Sequence, residues 1–224
     1  MSKVSCIIPA YNEGPRIANV LRAIADHPLI EEIIVIDDCS IDDTAAVVET
    51  FTSVRLIRHE HNKGKTRAVY TGIEHASEEH VLLLDSDLLN LTSAHVTALI
   101  EPVLNAEADI SISLRNYPIW QKIGLDPLSG ERVLAKKIFT ENKEALLALP
   151  KFGLESFMNK IIIANKHRVK IVQWAEVVSP YKHKKDGFLK GATGDIRMIR
   201  DIFKTISPLE AVRHIIHLRR LRVR

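Results

Sequence analysis

With 224 residues, 46% of them hydrophobic and 26% charged, the chain has apolar material for one globular domain, which excludes disorder. Two cysteines exclude a disulfide scaffold, and no apolar run nears the roughly 20 residues that span a bilayer; the longest, such as Val81–Leu84, are strand-sized. The net charge of +3 is unevenly spread: residues 182–224 carry +8 and residues 1–181 carry −5, so the basic end is suited to an anionic partner, either nucleic acid or a membrane.

The N-terminal apolar stretch is broken by Pro9 and followed at once by Tyr11-Asn12-Glu13, which is not the pattern of a secretory leader. Cys6 and Cys39 therefore read as free thiols in a reducing cytosol. Val4–Ile8 is a buried strand, and Gly14-Pro15 opens a helix with Ile17, Val20, Leu21 and Ile24 on one face. Glu32–Ile36 is a second strand that ends at Asp37-Asp38, and a helix follows from about Asp42, its acidic first turn suited to the helix dipole. Val54–Ile57 is a third strand; the polar loop from His59 to Gly64 then leads into a helix ending near Ala76. His80–Leu84 is a fourth strand ending at Asp85-Ser86-Asp87, Thr92 or Ser93 caps the next helix, and Ala108–Leu114 is a fifth strand. The second half is less regular. A loop spans Asn116 to Leu128, helices are expected at about 129–138, 142–149 and 153–166, and Val169–Val177 is a strand. Gly187–Ile206 reads as a helix, and Ser207-Pro208 starts a last, basic helix through Arg224.

Short strands alternating with helices imply an α/β fold with a mostly parallel sheet covered on both faces. Such sheets bind ligands beyond the carboxyl ends of their strands. Pro9–Glu13, Asp37–Ser40, His59–Lys65 and Asp85–Asp87 all fall there. Asp85 and Asp87, one residue apart, can share a hard cation such as Mg²⁺ or Mn²⁺ that would neutralise a diphosphate; a solvated turn is the plainer explanation of that pair alone. Asp42 and Asp43 are explained by a helix start, whereas Asp37 and Asp38 can accept hydrogen bonds from a base or ribose, or simply order their turn. Gly64 permits a tight turn, and Lys65 at a helix start can offer its ammonium to phosphate. The sequence has neither a GxxxxGK[ST] phosphate loop nor a GxGxxG dinucleotide turn.

Taken together, Pro9–Glu13, Val35–Ser40 with Asp42-Asp43-Thr44, Asn62–Lys65 and Asp85–Asp87 closely resemble the nucleotide-sugar half of glycosyltransferase family 2, over roughly residues 3–115. The resemblance implies a GT-A fold: a Rossmann-like nucleotide-binding half (1–115), a smaller acceptor half (116–206) and a basic C-terminal helix (207–224). It also implies a donor that is a UDP- or GDP-sugar, with Mg²⁺ or Mn²⁺. Carried over residue by residue, Pro9, Tyr11 and Glu13 line the nucleoside pocket, Asp38 holds base or ribose, Lys65 approaches base or phosphates, and Asp85-Ser86-Asp87 is the DxD segment. Asp87 is then the direct metal ligand, with Asp85 beside it.

The acceptor half matches more loosely. Leu128–Arg132 resembles the family's acceptor-shaping segment, which brings in Ser129, Gly130 and Arg132. Phe152–Glu155 resembles the place of its catalytic carboxylate, but Ser156 stands where Glu-Asp is commonest, leaving Glu155 as the base candidate. Arg115 and Arg132 fall where the polyprenyl-phosphate branch holds its lipid phosphate, and His183 where some GT-A enzymes present a late metal ligand. Gln173-Trp174 is not the QxxRW signature of processive synthases. The reading is a non-processive, inverting transferase in the cytoplasm, peripheral on an anionic membrane face, with polyprenyl phosphate favoured as acceptor and no nucleic-acid partner. A small soluble acceptor, and a nucleotide-sugar-binding protein without turnover, are the alternatives.

Overall fold

A computed structural model describes residues 2–149, 153–180 and 207–223. Seven strands form one sheet: β1 (Val4–Ala10), β2 (Ile30–Asp37), β3 (Val54–Arg58), β4 (His80–Leu83), β5 (Ile110–Arg115), β6 (Arg132–Ala135) and β7 (Val169–Trp174), in the order β3-β2-β1-β4-β6-β5-β7. β1 is central and wholly apolar along its inner stretch because helices cover both faces. Its register on β2, Ile7↔Ile34 and Ala10↔Asp37, brings the two strand ends level. Alternate β1 residues face opposite layers. Cys6 and Ile8 join Ile17 and Leu21 of α1 (Gly14–Ile24) and Leu99 of α4 (Ser93–Leu104). Ile7 joins Val69 and Ile73 of α3 (Lys65–His75), with Met158 and Ile162 of α8 (Leu154–Ala164) in the same layer. Both cysteines are free, Cys6 within the core.

The helix α2 (Thr44–Glu49) starts two residues later than expected because Asp42 spends its carboxylate on the turn, accepting from the Thr44 backbone N–H at 3.0 Å and from the Gly14 N–H at 3.1 Å. Thr92 is the cap of α4, its hydroxyl accepting from the His95 backbone N–H.

The expected helix at 129–138 is the main correction. Residues 127 and 128 form a turn, the Ser129 N–H donating to Asp126 O at 3.3 Å, and Arg132–Ala135 is a strand running antiparallel to both β4 and β5. Its apolar run is too short to declare either period. Burial on both sides, between β4 and β5, decides it. Only a short helix, α6 (Lys137–Thr140), follows, and then α7 (Lys143–Leu147). The expected 116–128 loop contains α5 (Pro118–Ile123), opened by Pro118 and stopped by left-handed Gly124. β7 ends at Trp174, three residues early.

The last helix, α9 (Pro208–Arg220), begins with a reciprocal cap: Ser207 Oγ accepts from the Glu210 N–H, and Glu210 accepts from the Ser207 N–H. It is tied down at its far end. Leu218 is buried in the α3–α8 layer, and the Val169 N–H donates to Leu221 O at 2.9 Å while the Val223 N–H donates to Val169 O at 2.9 Å. The helix expected over 187–206 and His183 lie outside the described residues.

Candidate active site

The site forms where β1, β2 and β4 end together. Two sharp turns frame it. Asn12 (φ 56°) follows β1 and Cys39 (φ 66°) follows β2, both left-handed without being glycine. They are locked to each other: the Asn12 N–H donates to Ser40 Oγ, and Asn12 Oδ1 accepts from the Ile41 N–H, each at 2.9 Å. Tyr11 is 47% exposed on this rim, while Pro9 is half-buried in β1. Glu13 is buried, its N–H donating to Thr44 Oγ1 at 2.8 Å and its carboxylate paired with Arg16.

Asp38 sits behind the rim. Its carboxylate is 5% exposed and accepts from the Lys63 N–H (2.8 Å), the Gly64 N–H (2.7 Å) and His59 Nδ1 (2.7 Å). It thereby shapes the loop that delivers Lys65, with Gly64 at φ 87°, a conformation disfavoured for side chains. Its neighbour Asp37 is wholly buried, accepting from the Ser40 N–H at 2.9 Å and from Arg58 Nε at 3.1 Å.

Lys65 is the centre of the site. Its Nζ donates to Asp85 Oδ1 at 2.7 Å and to Glu155 Oε1 at 2.9 Å, joining the end of β4 to the first turn of α8. Burial alone would lower the ammonium's pKa; Asp85 and Glu155 outweigh it and hold the group above the usual lysine range. All three side chains stay partly open, between 17% and 28%. Gly130 closes the other side, where an added Cβ would lie 2.8 Å from Lys65 Nζ and 2.9 Å from Asp85 Oδ1. Ser86 is buried beside them, and Asp87 accepts from Ser179 Oγ at 3.1 Å.

The acceptor-side residues are placed less as the sequence suggested. Arg132 is fully buried and turned into the chain: Nε donates to Ser129 O (2.8 Å), Nη2 to Pro127 O (3.0 Å) and Nη1 to Asn159 Oδ1 (2.7 Å). Burial lowers its pKa to about 10, so it remains charged at neutral pH. Ser129 is equally buried, its Oγ lying 2.8 Å from Ser113 Oγ and donating to Glu131 Oε2 (2.9 Å). Arg115 and Asp87 share Ser179 as a hydrogen-bond partner. The arginine donates to Ser179 Oγ at 2.6 Å, lies 3.5 Å from Glu131 and stacks over the Tyr117 ring.

Sequence reasoning missed Glu131, Asp126 and Ser179. Burial raises the pKa of the Glu131 and Asp126 carboxyls, against the pull of nearby arginines. Glu131 carries a local signal, a lone acid in a segment of small and apolar residues; Ser179 carries none, because it arrives from 92 residues along the chain.

Residues 5–150 match the family model described as Glycosyl transferase family 2. The chain belongs to that family. A dolichyl-phosphate beta-glucosyltransferase of Trichomonas vaginalis is 37% identical over 97 residues, covering 38% of this chain and 30% of the relative. A dolichol-phosphate mannosyltransferase of Pyrococcus furiosus is 34% identical over 134 residues, covering 54% and 38%. A 4,4'-diaponeurosporenoate glycosyltransferase of Staphylococcus aureus is 35% identical over 101 residues, covering 43% and 27%. The matches thus span well under half the length of these relatives.

Among solved structures, glucosyl-3-phosphoglycerate synthase of Mycobacterium tuberculosis, in complex with Mn²⁺, UDP and glucosyl-3-phosphoglycerate, superposes with a TM-score of 0.70. The identity is 21%, with 91% of this chain and 80% of that one covered. The same enzyme with Mg²⁺ and UDP gives a TM-score of 0.69. The fold is GT-A, as the strand ends and their motifs imply.

Proposed function

We propose that this chain is a non-processive glycosyltransferase that moves a sugar from UDP- or GDP-sugar to an acceptor, with inversion and with a divalent metal. The observation that carries this reading is the Lys65 ammonium bridging Asp85 and Glu155 at the ligand edge of a GT-A sheet. It brings a candidate donor-phosphate contact, a candidate metal carboxylate and the candidate base into one cluster.

The donor set suits Mg²⁺ or Mn²⁺. Asp85 and Asp87 offer hard oxygen ligands, and among the described residues no three His, Cys, Asp or Glu side chains gather as a complete cage. Few carboxylates plus substrate phosphates and water is how Mg²⁺ is commonly held. When bound, the ion would supply Lewis-acid stabilisation of the departing diphosphate. Lys65 adds a second positive charge there, pre-placed and so costing little reorganisation. Tyr11 and Pro9 offer a surface to the base, and Asp38 supports the pocket by holding the His59–Gly64 loop.

An acceptor oxygen attacks the anomeric carbon opposite the leaving diphosphate. For a hydroxyl acceptor, Glu155 takes the proton; a phosphate acceptor arrives already anionic and needs no base. The dolichyl- and dolichol-phosphate enzymes among the relatives, together with the basic C-terminal segment, favour a polyprenyl phosphate, met at an anionic membrane face on the cytoplasmic side. Among the described residues no helix is long and apolar enough to cross a membrane, which agrees with a peripheral approach. Arg115, largely buried and joined to Asp87 through Ser179, is the candidate contact for the acceptor's charge; Arg132 acts behind the wall.

The test is nucleoside diphosphate release from UDP- and GDP-sugars with Mn²⁺, using a short polyprenyl phosphate or a soluble sugar or glycerate acceptor. Turnover that requires the polyprenyl phosphate supports the full reading, turnover only with a soluble acceptor moves the acceptor class, and none with any donor favours a binding protein. In the active assay, Glu155→Gln should lower the rate by about 10²-fold for a hydroxyl acceptor and leave a phosphate acceptor's rate little changed.

A further inference from the structure

We infer that Ser179 is a positioning residue for Asp87, aiming its carboxylate by a hydrogen bond whose direction Arg115 dictates. The inference rests on the metal-site reading above and extends it to a residue outside every motif.

A guanidinium only donates, so Ser179 Oγ, 2.6 Å from Arg115 Nη1, must accept that bond. The hydroxyl's single hydrogen is then free to point at Asp87 Oδ1, 3.1 Å away. Arg115 is itself fixed: its side chain is 10% exposed, and Nη1 lies 3.5 Å from the fully buried Glu131. Glu131 is anchored in turn, Oε2 accepting from Ser113 Oγ at 2.8 Å and Ser129 Oγ at 2.9 Å. Donation therefore runs outward from the arginine, through the hydroxyl, to Asp87, with the buried Glu131 carboxylate facing the arginine from its other side. A neutral serine would otherwise rotate freely.

The backbone delivers Ser179 to this place. Just past β7, Val178 pairs with Leu89, the Leu89 N–H donating to Val178 O at 2.9 Å and the Val178 N–H to Leu89 O at 3.3 Å. Asn90 Nδ2 adds a bond to Glu176 O at 3.2 Å. These contacts clamp the post-β7 segment to the turn that carries Asp85 and Asp87. A carboxylate that ligates a metal is commonly oriented by such an outer hydrogen bond, and loss of that partner typically costs 10- to 100-fold in metal affinity.

The test titrates Mn²⁺ into the full chain, following the signal of the free ion by electron paramagnetic resonance, with Mn²⁺ alone and with UDP or GDP present. Ser179→Ala should weaken Mn²⁺ binding about tenfold or more. Ser179→Thr, which keeps the hydroxyl, should stay within about twofold, and Ser179→Cys, a weaker donor, should fall between. Thermal unfolding of all three measures folding separately. Equal Mn²⁺ affinity in Ser179→Ala and the unaltered protein overturns the inference alone. So does an equal loss in the Ala and Thr variants, because the hydroxyl would then not be what matters. Absence of Mn²⁺ binding by the unaltered protein, with and without either nucleotide, overturns the metal reading of Asp87 and this inference with it.

Discussion

Arg132 holds a full charge at a position without solvent, and three acceptors of the chain satisfy it there: the carbonyls of Pro127 and Ser129 and the Asn159 amide oxygen. The sequence marks it as cationic and near an acceptor segment, but cannot say which way it points. The structure makes it the fastener of the 127–131 segment. Arg132→Met, which keeps much of the volume but leaves buried acceptors unpaired, should therefore destabilise the protein in urea unfolding, each such acceptor costing about 1–3 kcal/mol. A change under about 0.5 kcal/mol, the ordinary cost at a surface position, would return Arg132 to the role of a ligand contact. Gly130 gives a second test at the same scale. Its missing Cβ leaves room for Lys65 Nζ and both oxygens of Asp85, all within 3.1 Å of where that carbon would be. Gly130→Ala should displace the tips of that pair, lowering kcat/KM by as much as about 10²-fold while leaving the melting temperature nearly unchanged, because flexible side-chain ends yield before the backbone does. Unchanged kcat/KM would mean that the pair tolerates the displacement.

The helix α9 shows what a periodic pattern leaves undecided. Its cap at Ser207-Pro208 and its apolar and cationic positions are legible in the sequence, but the face that packs is not. Leu218 is buried, and residues 221 and 223 bond to the start of β7, whereas Leu209, Val212 and Ile216 remain between 45% and 61% exposed. Deleting residues 208–224 would thus remove a core side chain and an edge pairing along with any membrane contact. Substitution separates the two. Arg219 and Arg220 are exposed, and each cation near an anionic surface is worth about 1 kcal/mol. Changing both to Gln should weaken binding to phosphatidylserine-containing vesicles about 30-fold at low salt, with little effect on phosphatidylcholine vesicles, in a co-sedimentation assay. Equal binding by variant and unaltered protein would place α9 on the protein surface only. β6 makes the opposite point: four residues between two other strands read as helix until their neighbours are known, since partners at β4 and β5, not local propensity, make them a strand.

At the scale of the whole molecule, the parallel half was legible because it repeats one physical unit: an apolar strand, a polar turn at its carboxyl end and an amphipathic helix. Three such turns carry Tyr11, Asp38 and Asp85, and the sheet order β2-β1-β4 brings them side by side. The second half of the chain was less legible because its place in the candidate site depends on contacts across long separations: Lys65 with Glu155, Arg115 with Ser179, Arg132 with Asn159. Position along the chain does not reveal whether an arginine faces a cavity or a carbonyl. The proposed function stands on the end of β4 binding a nucleotide sugar through a divalent metal. Calorimetric titration of UDP- and GDP-sugars into the protein with Mn²⁺, repeated with EDTA and with Asp87→Ala, measures that binding. Saturable binding of one donor is expected with Mn²⁺, at least about tenfold weaker with EDTA or in the variant, as when a metal ligand is lost. Binding of equal strength under all three conditions, or no binding of any nucleotide sugar by the unaltered protein, would contradict the proposed function.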